Sequence, residues 1–342
     1  MNLWHGLSPA NLIAFERLEP TPRREMREKM QLELFQKIKP DIAFFQECNP
    51  VSKRFSELAS SLKMHGDYQP DLVGIKVLGM GLPLNLFSGL VQIARPEWPL
   101  KKVASVRLSG NNSFVNRWVS FQLKEERYAL FCETMRPGIG KILLINTHLH
   151  HGLEATEEFT EKMHAAVEEM KLSPSLKSEI RHRLAVGNER RAREMSALLK
   201  ELQVRQGQYA IVIMGGDFNA EPRGELGQRL RDLGFSDVWR KDHHDEPGFT
   251  YDREQNIANH ILQDRFPSTF MVEDLSFSAK TKETLLKLVL EQERRPRRID
   301  QLWVRSQLGQ VKSIRSQLIG FPDQEGMAPS DHFGLVADLD IE

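Results

Sequence analysis

The sequence predicts an α+β fold in which mixed β-sheets pack as a sandwich with helices outside. Three observations point there. Short apolar, β-branched runs recur along the whole chain, few segments carry helical spacing, and the runs between residues 117 and 147 follow one another with no helix between them. Strands joined that way pair antiparallel, because a parallel return needs a long crossover. A doubly wound sheet, with strand and helix in strict alternation, does not fit.

The elements follow in order. Met26, Met30, Leu34, Phe35 and Ile38 recur at helical spacing, so residues 24–38 read as an amphipathic helix ended by Lys39-Pro40. Residues 41–46 read as a buried strand. Further strands are expected at Gly89–Ala94, Arg117–Leu123, Tyr128–Glu133, Lys141–Thr147, Tyr209–Met214, Ile299–Val304, Val311–Ile319 and Phe333–Leu339. Residues 189–202 set Ala192, Met195, Leu198, Leu199 and Leu202 on one helix face. The chain reads as a single domain, 1–342, with two helical insertions. Residues 152–188 begin rich in Glu and turn basic from Lys171. Residues 264–297 hold an apolar stretch from Phe266 to Phe277, then a helix bearing Leu285, Leu288 and Val289. A peripheral helical subdomain is one reading of both; a cap or interfacial surface beside an active site is the other.

Composition narrows the class. The 342 residues are 40% hydrophobic and 27% charged, which excludes collagen, low-complexity disorder and a disulfide mini-scaffold. Lys plus Arg and Asp plus Glu both number 47, and this neutrality disfavours coating nucleic acid by bulk charge while leaving room for local patches. No apolar run reaches the roughly 18 residues of a membrane-spanning helix. Cys48 and Cys132 read as two reduced thiols. Met1–Pro9 lacks the charged start and apolar run of a signal peptide, so the chain as it stands is expected in the cytoplasm, as a monomer.

Polar residues gather at strand ends. Glu47 follows the apolar run 42–45, His148 follows Ile142–Ile145, and Asp217 and Asn219 follow Ile211–Met214. Asp300 opens a strand; Asp331 and His332 precede the last one. One Asp after a strand is a turn residue. Four carboxylates and two imidazoles so placed suit phosphate ester hydrolysis, where charge develops on phosphoryl oxygens, a water loses a proton and a leaving oxygen gains one. An all-oxygen donor set, such as Glu47 with an Asn or Asp, suits Mg²⁺ or Mn²⁺ rather than Zn²⁺. Gly215 and Gly216 permit close backbone approach before Asp217, and Asp300 is suited to orient His332.

The pattern resembles the endonuclease/exonuclease/phosphatase superfamily. The motifs that carry the resemblance are Asn2-Leu3-Trp4, Gln46-Glu47, Thr147-His148-Leu149, Gly216-Asp217-Phe218-Asn219, Arg298-Ile299-Asp300 and Ser330-Asp331-His332, in that order across nearly the whole chain. The resemblance implies a four-layer α/β sandwich of two packed mixed sheets. It also implies roles: Glu47 binds the cation with Asn2 as ligand or phosphate contact, and Asp331 lies near the metal. Asp217 and Asn219 position water and phosphate, Asp300 supports His332, and His148 donates to a phosphate oxygen or acts as acid. His332 with Asp300 is the favoured base and Asp217 the alternative. In the superfamily an entire strand precedes the opening Asn; here Met1 alone does, so a first strand is expected to be missing, and an upstream segment would leave secretion open.

Within the superfamily the inositol 5-phosphatase pattern fits poorly, since Ala220-Glu221-Pro222 follow the Asn of the Gly-Asp-x-Asn signature. The neutral sphingomyelinase branch is more similar: Asn146-Thr-His-Leu-His150 and Gly216–Pro222 match its texture, as do Thr250–Asp252 and Asn256. The expected substrate is therefore a phospholipid such as sphingomyelin, reached through peripheral membrane contact by Phe266–Phe277 or the exposed face of 157–172. A DNA or RNA nuclease is the alternative. Arg294, Arg295, Arg297 and Arg298 are either a solvated strand flank or an anion contact near the metal. Retention of Glu47, Asp217, Asn219, Asp331 and His332 speaks against a binding-only pseudo-hydrolase.

Overall fold

Leu143 and Ile145 point to one side of their strand and Ile142 and Leu144 to the other, yet all four are buried. A strand buried on both faces reads as a continuous apolar run and must lie in a middle layer. The computed structural model describes residues 1–8, 13–78, 80–110, 114–115, 119–122, 126–170, 172–257, 259–260, 278–306 and 311–341. Its elements begin with a short hairpin, β1 (Leu7–Ser8) and β2 (Glu16–Arg17), then α1 (Thr21–Ile38), β3 (Ile42–Cys48) and α2 (Val51–Leu62). Next come β4 (His65–Leu72), β5 (Ile75–Val77), β6 (Met80–Leu82), β7 (Ser88–Ala94) and β8 (Lys101–Ser109). They are followed by β9 (Phe114–Val115), β10 (Val119–Phe121), β11 (Arg127–Arg136) and β12 (Gly140–His148). Helices α3 (Glu157–Glu169) and α4 (Pro174–Arg205) cross to β13 (Ile211–Asp217). The rest are α5 (Glu225–Asp232), β14 (Ser236–Asp237), α6 (Val238–His243), α7 (Ala279–Arg294), β15 (Asp300–Ser306), β16 (Val311–Ile319) and β17 (Gly334–Ile341).

The larger sheet has the order β14-β15-β13-β12-β11-β8 and is parallel only between β12 and β13, the pair joined through helices. A second sheet, β3-β7-β4, is antiparallel. Residues 1–3 run beside β3, with Leu3 N donating to Gln46 O at 2.9 Å and the Met1 amine to Phe44 O at 2.8 Å. The β16–β17 hairpin continues the inner core.

Alternation sorts the apolar side chains into layers. Met195, Leu198 and Leu202 of α4 and Leu230 of α5 cover Leu143, Ile145, Val212 and Met214 on the outside of the larger sheet. Ile142, Leu144, Ile211 and Ile213 face inward and meet Phe44, Ile314 and Leu339. On the far side Phe35 of α1 and Val51 and Leu58 of α2 cover Phe45, Val91 and Ile93. The result is helix, sheet, sheet, helix. Each buried aliphatic side chain contributes roughly 1.5–3 kcal/mol.

Differences from the expected elements have local causes. β4 and β8 are edge strands whose partly exposed polar residues hide the period. Helix α2 lies outside the expected elements. The 189–202 helix is the C-terminal half of α4, which starts at Pro174 behind the Ser173 cap. Of the strand expected at Arg117–Leu123, Val119–Phe121 is observed; Arg117, Trp118 and Leu123 lie outside the described residues. Phe159, Met163 and Val167 of α3, Ile180 and Leu184 of α4, and Leu285 and Val289 of α7 form one satellite cluster, so 152–188 and 279–294 meet each other. The apolar face of α3 is thus packed inside rather than offered to a membrane, and Phe266–Phe277 lie outside the described residues. Cys48 and Cys132 are free and buried, and burial pushes both thiols up to about 12.

Candidate active site

The register of the larger sheet brings three predicted residues to one line. His148 stands opposite Asp217 across the β12–β13 pair, and Asp217 stands opposite Asp300 across β13–β15. Gly216 makes the β13 exit possible: its φ is +146°, and a Cβ there would lie 1.9 Å from Thr147 O. Just below, Asn146 ties the two sheets together. Its amide donates to Phe45 O (3.1 Å) and Val91 O (2.9 Å), and its oxygen accepts from Gln46 Nε2 at 2.6 Å. Glu47 of the smaller sheet is thereby held over the end of the larger one.

The side chains then interlock. Asn2 Nδ2 donates to Glu47 Oε1 at 3.0 Å and to Asp217 Oδ2 at 3.1 Å. Glu47 Oε2 accepts from His5 N at 3.1 Å. Asp217 Oδ1 accepts from Asn219 N at 2.8 Å, and His148 Nε2 is 3.5 Å from Asp217 Oδ2. Asn219 Nδ2 donates to Leu149 O at 3.0 Å. His332 Nδ1 and Asp300 Oδ2 are 2.7 Å apart, and Asp331 accepts from Ser330 Oγ at 3.2 Å. Glu47 and Asn219 hold φ near +55° and +49°, backbone strain of a kind that clusters at functional sites.

Electrostatics follow from burial and crowding. Burial and the nearby Asp300 push the Asp217 carboxyl up to about 6, against the pull of His332 and of the Asn219 and Asn2 hydrogen bonds. Burial alone would lower His332, but Asp300, Asp331 and Asp217 outweigh it and raise it to about 10. Burial opposes ionisation of Glu47, yet the His5 and His148 imidazoles with the Asn2 and His5 donors hold it well below the usual carboxylate range.

All eight predicted residues sit at strand ends or the turns beside them, and Asn2, Glu47, His148, Asp217 and Asn219 form one bonded network, with the Asp300–His332 pair beside Asp217. Asp331 joins from the turn before β17 through Ser330 Oγ, which lies 2.8 Å from Asn2 O. Among the described residues no group of three or more His, Cys, Asp or Glu has metal-holding spacing. Other contributors lie outside the eight. Arg127 Nη1 donates to His148 Nδ1 at 2.9 Å, and its Nη2 lies 3.2 Å from His151 Nδ1. Thr250 Oγ1 accepts from Ile299 N and Asp300 N at 3.1 and 3.0 Å. Tyr251 packs its ring edge-on to His332 at 5.1 Å. Asn256 and Asn259 both donate to Ser330 O at 2.7 Å and shape the turn before Asp331. Thr250, Tyr251 and Asn256 had a signal in their motif texture; Arg127 had none.

The basic run is largely spent on the fold. Arg298 makes a buried two-pronged pair with Asp237 at 2.8 and 2.7 Å. Arg295 reaches Glu221 at 2.8 Å and Glu154 at 3.5 Å, and Arg297 lies over the Tyr251 ring at 5.1 Å.

A two-sheet sandwich with acidic residues and histidines converging at strand ends defines a class, the phosphoric ester hydrolases of this architecture. The Endonuclease/Exonuclease/phosphatase family profile matches residues 2–332, and the chain belongs to that family. Three solved structures share the fold. The human Nocturnin catalytic domain with bound sulfate is 18% identical, covers 93% of this chain and 87% of its own, and has a TM-score of 0.52. An endonuclease/exonuclease/phosphatase from Bacteroides vulgatus is 16% identical, with coverages of 93% and 91% and a TM-score of 0.52. A functionally unknown conserved protein from Enterococcus faecalis V583 is 19% identical, with coverages of 93% and 92% and a TM-score of 0.54. No curated protein is significantly similar in sequence. Family membership makes the chain a hydrolase of phosphoester bonds.

Proposed function

We infer that this chain is a Mg²⁺-dependent phosphodiesterase acting on a phospholipid such as sphingomyelin. The observation that carries the hydrolytic part is the alignment of His148, Asp217 and Asp300 on one rung line, with Asn2 bridging Glu47 to Asp217. The donor chemistry fits a hard divalent cation. Glu47 and Asp331 offer oxygen only, which suits Mg²⁺, or Mn²⁺ in its place, whereas Asn2, expected as a ligand or phosphate contact, turns its Nδ2 to Glu47 and gives its Oδ1 to Trp4 N, so it positions the carboxylate. Asp300 Oδ1 is buried with no hydrogen-bond partner among the described residues, so the site keeps an acceptor in reserve. The cation, when bound, neutralises charge that develops on the phosphoryl oxygens.

The chain's own groups do the rest. Asp217 and Asn219 orient the attacking water and the phosphate. Asp217, pushed up to about 6 and so ionised at neutral pH, takes the water proton, and His332, held at Nδ1 by Asp300, is the alternative acceptor once it has lost its own proton. His148 presents Nε2 and donates to a phosphoryl oxygen. For the substrate, two features favour a lipid over a nucleic acid: the similarity of Asn146–His150 and Gly216–Pro222 to the sphingomyelinase branch, and the engagement of Arg298 and Arg295 in ion pairs that deny them to a DNA backbone.

The test is a matched panel of sphingomyelin mixed micelles, phosphoinositide micelles, supercoiled plasmid and single-stranded RNA, with Asp217→Ala as the blank. Choline phosphate release that EDTA abolishes is the expected result. Plasmid nicking without lipid turnover would overturn the lipid reading and establish a nuclease.

A further inference from the structure

The four-stranded ribbon β6-β5-β10-β9 is inside out. In β5 the middle residue, Lys76, is buried, and its ammonium turns under the hairpin to Pro83 O at 2.5 Å. Ser120, its partner on β10, is buried too, while the flanking apolar residues face out. Register sets those side chains in cross-strand rows, which share a face. Met80, Val77 and Val119 make one row; Leu82 pairs with Ile75, and Phe121 with Phe114, beyond it. Met80 is 75% exposed, Phe114 57% and Val77 56%. Leu78, Leu84 and Ile13 extend the patch, so ten of the sixteen exposed large apolar residues of the described chain collect here. An apolar patch of this kind marks a binding surface.

Both roots of the ribbon lie beside the candidate active site. At one, Asn85 O accepts from Asn49 Nδ2 at 3.0 Å, and Asn49 is two residues past Glu47. At the other, Gln122 Oε1 accepts from Val73 N at 2.6 Å, and Gln122 stands five positions before Arg127 in the sequence, the donor to His148.

We propose that this ribbon docks the protein on a lipid–water interface. The outward positions of the four strands carry no charge, so the face offers nothing to a phosphate backbone. A permanent protein partner would sit over the approach to the site, whereas a bilayer surface covers the same side chains and delivers a phosphate ester to the neighbouring centre. The proposal rests on the phospholipid reading and adds the surface by which such a substrate is reached.

The experiment uses the full chain in EDTA with neutral phosphatidylcholine–sphingomyelin vesicles, read by cosedimentation. Wild type is expected to partition onto vesicles, and Val77→Glu with Met80→Glu to lower the partition at least tenfold. Phe121→Ser, on another strand, is expected to weaken it as well. Val204→Glu, at an exposed apolar position on α4, is the control and should leave it unchanged. Turnover of bis(p-nitrophenyl) phosphate in Mg²⁺, with the thermal melt, reports that each variant keeps its fold and centre. Equal binding by wild type and the ribbon variants overturns the proposal, as does no binding by wild type. A wild-type dimer that the ribbon variants dissolve in sedimentation velocity also overturns it, in favour of a second copy on this face. Vesicle binding without choline phosphate release sinks the substrate reading alone; release from monomeric short-chain sphingomyelin without vesicle binding sinks the docking alone.

Discussion

Arg127 and His148 are locked together: a guanidinium nitrogen of Arg127 lies 2.9 Å from His148 Nδ1. A guanidinium only donates, so Nδ1 accepts, and the imidazole proton stands on Nε2, the nitrogen that faces Asp217 Oδ2 at 3.5 Å. Arg127 is a positioning residue that fixes one tautomer of His148.

Replacing that donor should therefore act through the imidazole. Arg127→Ala is expected to lower kcat roughly 10- to 100-fold, about 1.4–2.7 kcal/mol of barrier, with KM little changed. Arg127→Lys keeps a donor and should recover part of the loss. Equal loss in both variants, with an unaltered pH profile, would reduce Arg127 to a packing residue.

Asp300 and His332 act as one unit at 2.7 Å. Asp300→Ala and His332→Ala should each cost on the order of 10³ in kcat, and the double variant about the same. Strict multiplication of the two losses in steady-state kinetics would show that they act separately.

The Asp300–His332 pair also ties stability to pH. With its folded pKa raised to about 10 from an ordinary imidazole value of 6.5, His332 contributes stability that is complete below pH 6.5 and disappears as pH climbs through 10. Thermal melts of the metal-free protein should fall between about pH 7 and 10, by on the order of 3–4 kcal/mol, and His332→Gln should flatten that fall. A parallel decline in the variant would assign it to other groups.

Chelation should silence the enzyme. EDTA is expected to abolish ester hydrolysis, and added Mg²⁺ or Mn²⁺ to restore it. Glu47→Gln, which keeps the shape and removes the charge, should raise the Mg²⁺ concentration needed for half activity at least tenfold. Full activity in EDTA would remove the cation from the mechanism.

Asn146 bonds the two sheets at Phe45, Val91 and Gln46. Asn146→Leu strands the carbonyls of Phe45 and Val91 and the Gln46 amide, each worth roughly 1–3 kcal/mol. A drop of several kcal/mol in urea melts is the expected result, with activity lost alongside because Glu47 loses its seat over His148.

Much of this was legible in the residues themselves. The apolar runs at 142–145 and 211–214 were legible as strands and the polar residues that end them as candidate site residues, while the layering was implied only by the family resemblance. β4 and β8 escaped because an edge strand needs no apolar period. The arginines at 294–298 were ambiguous for another reason: a guanidinium near a site residue looks the same in sequence whether it meets a substrate or Asp237, which lies 61 positions away from Arg298.

The sequence by itself determined the family, the order of the strands that end in polar residues and the chemistry those residues can perform. These are local properties, written in periodicity and short motifs. Tertiary structure alone decided that Arg127 sets the tautomer of His148, that Arg298 belongs to Asp237, and that the ribbon shows its apolar face to solvent. Alternation tells that a strand has two unlike faces; which face is buried depends on what the rest of the chain brings against it.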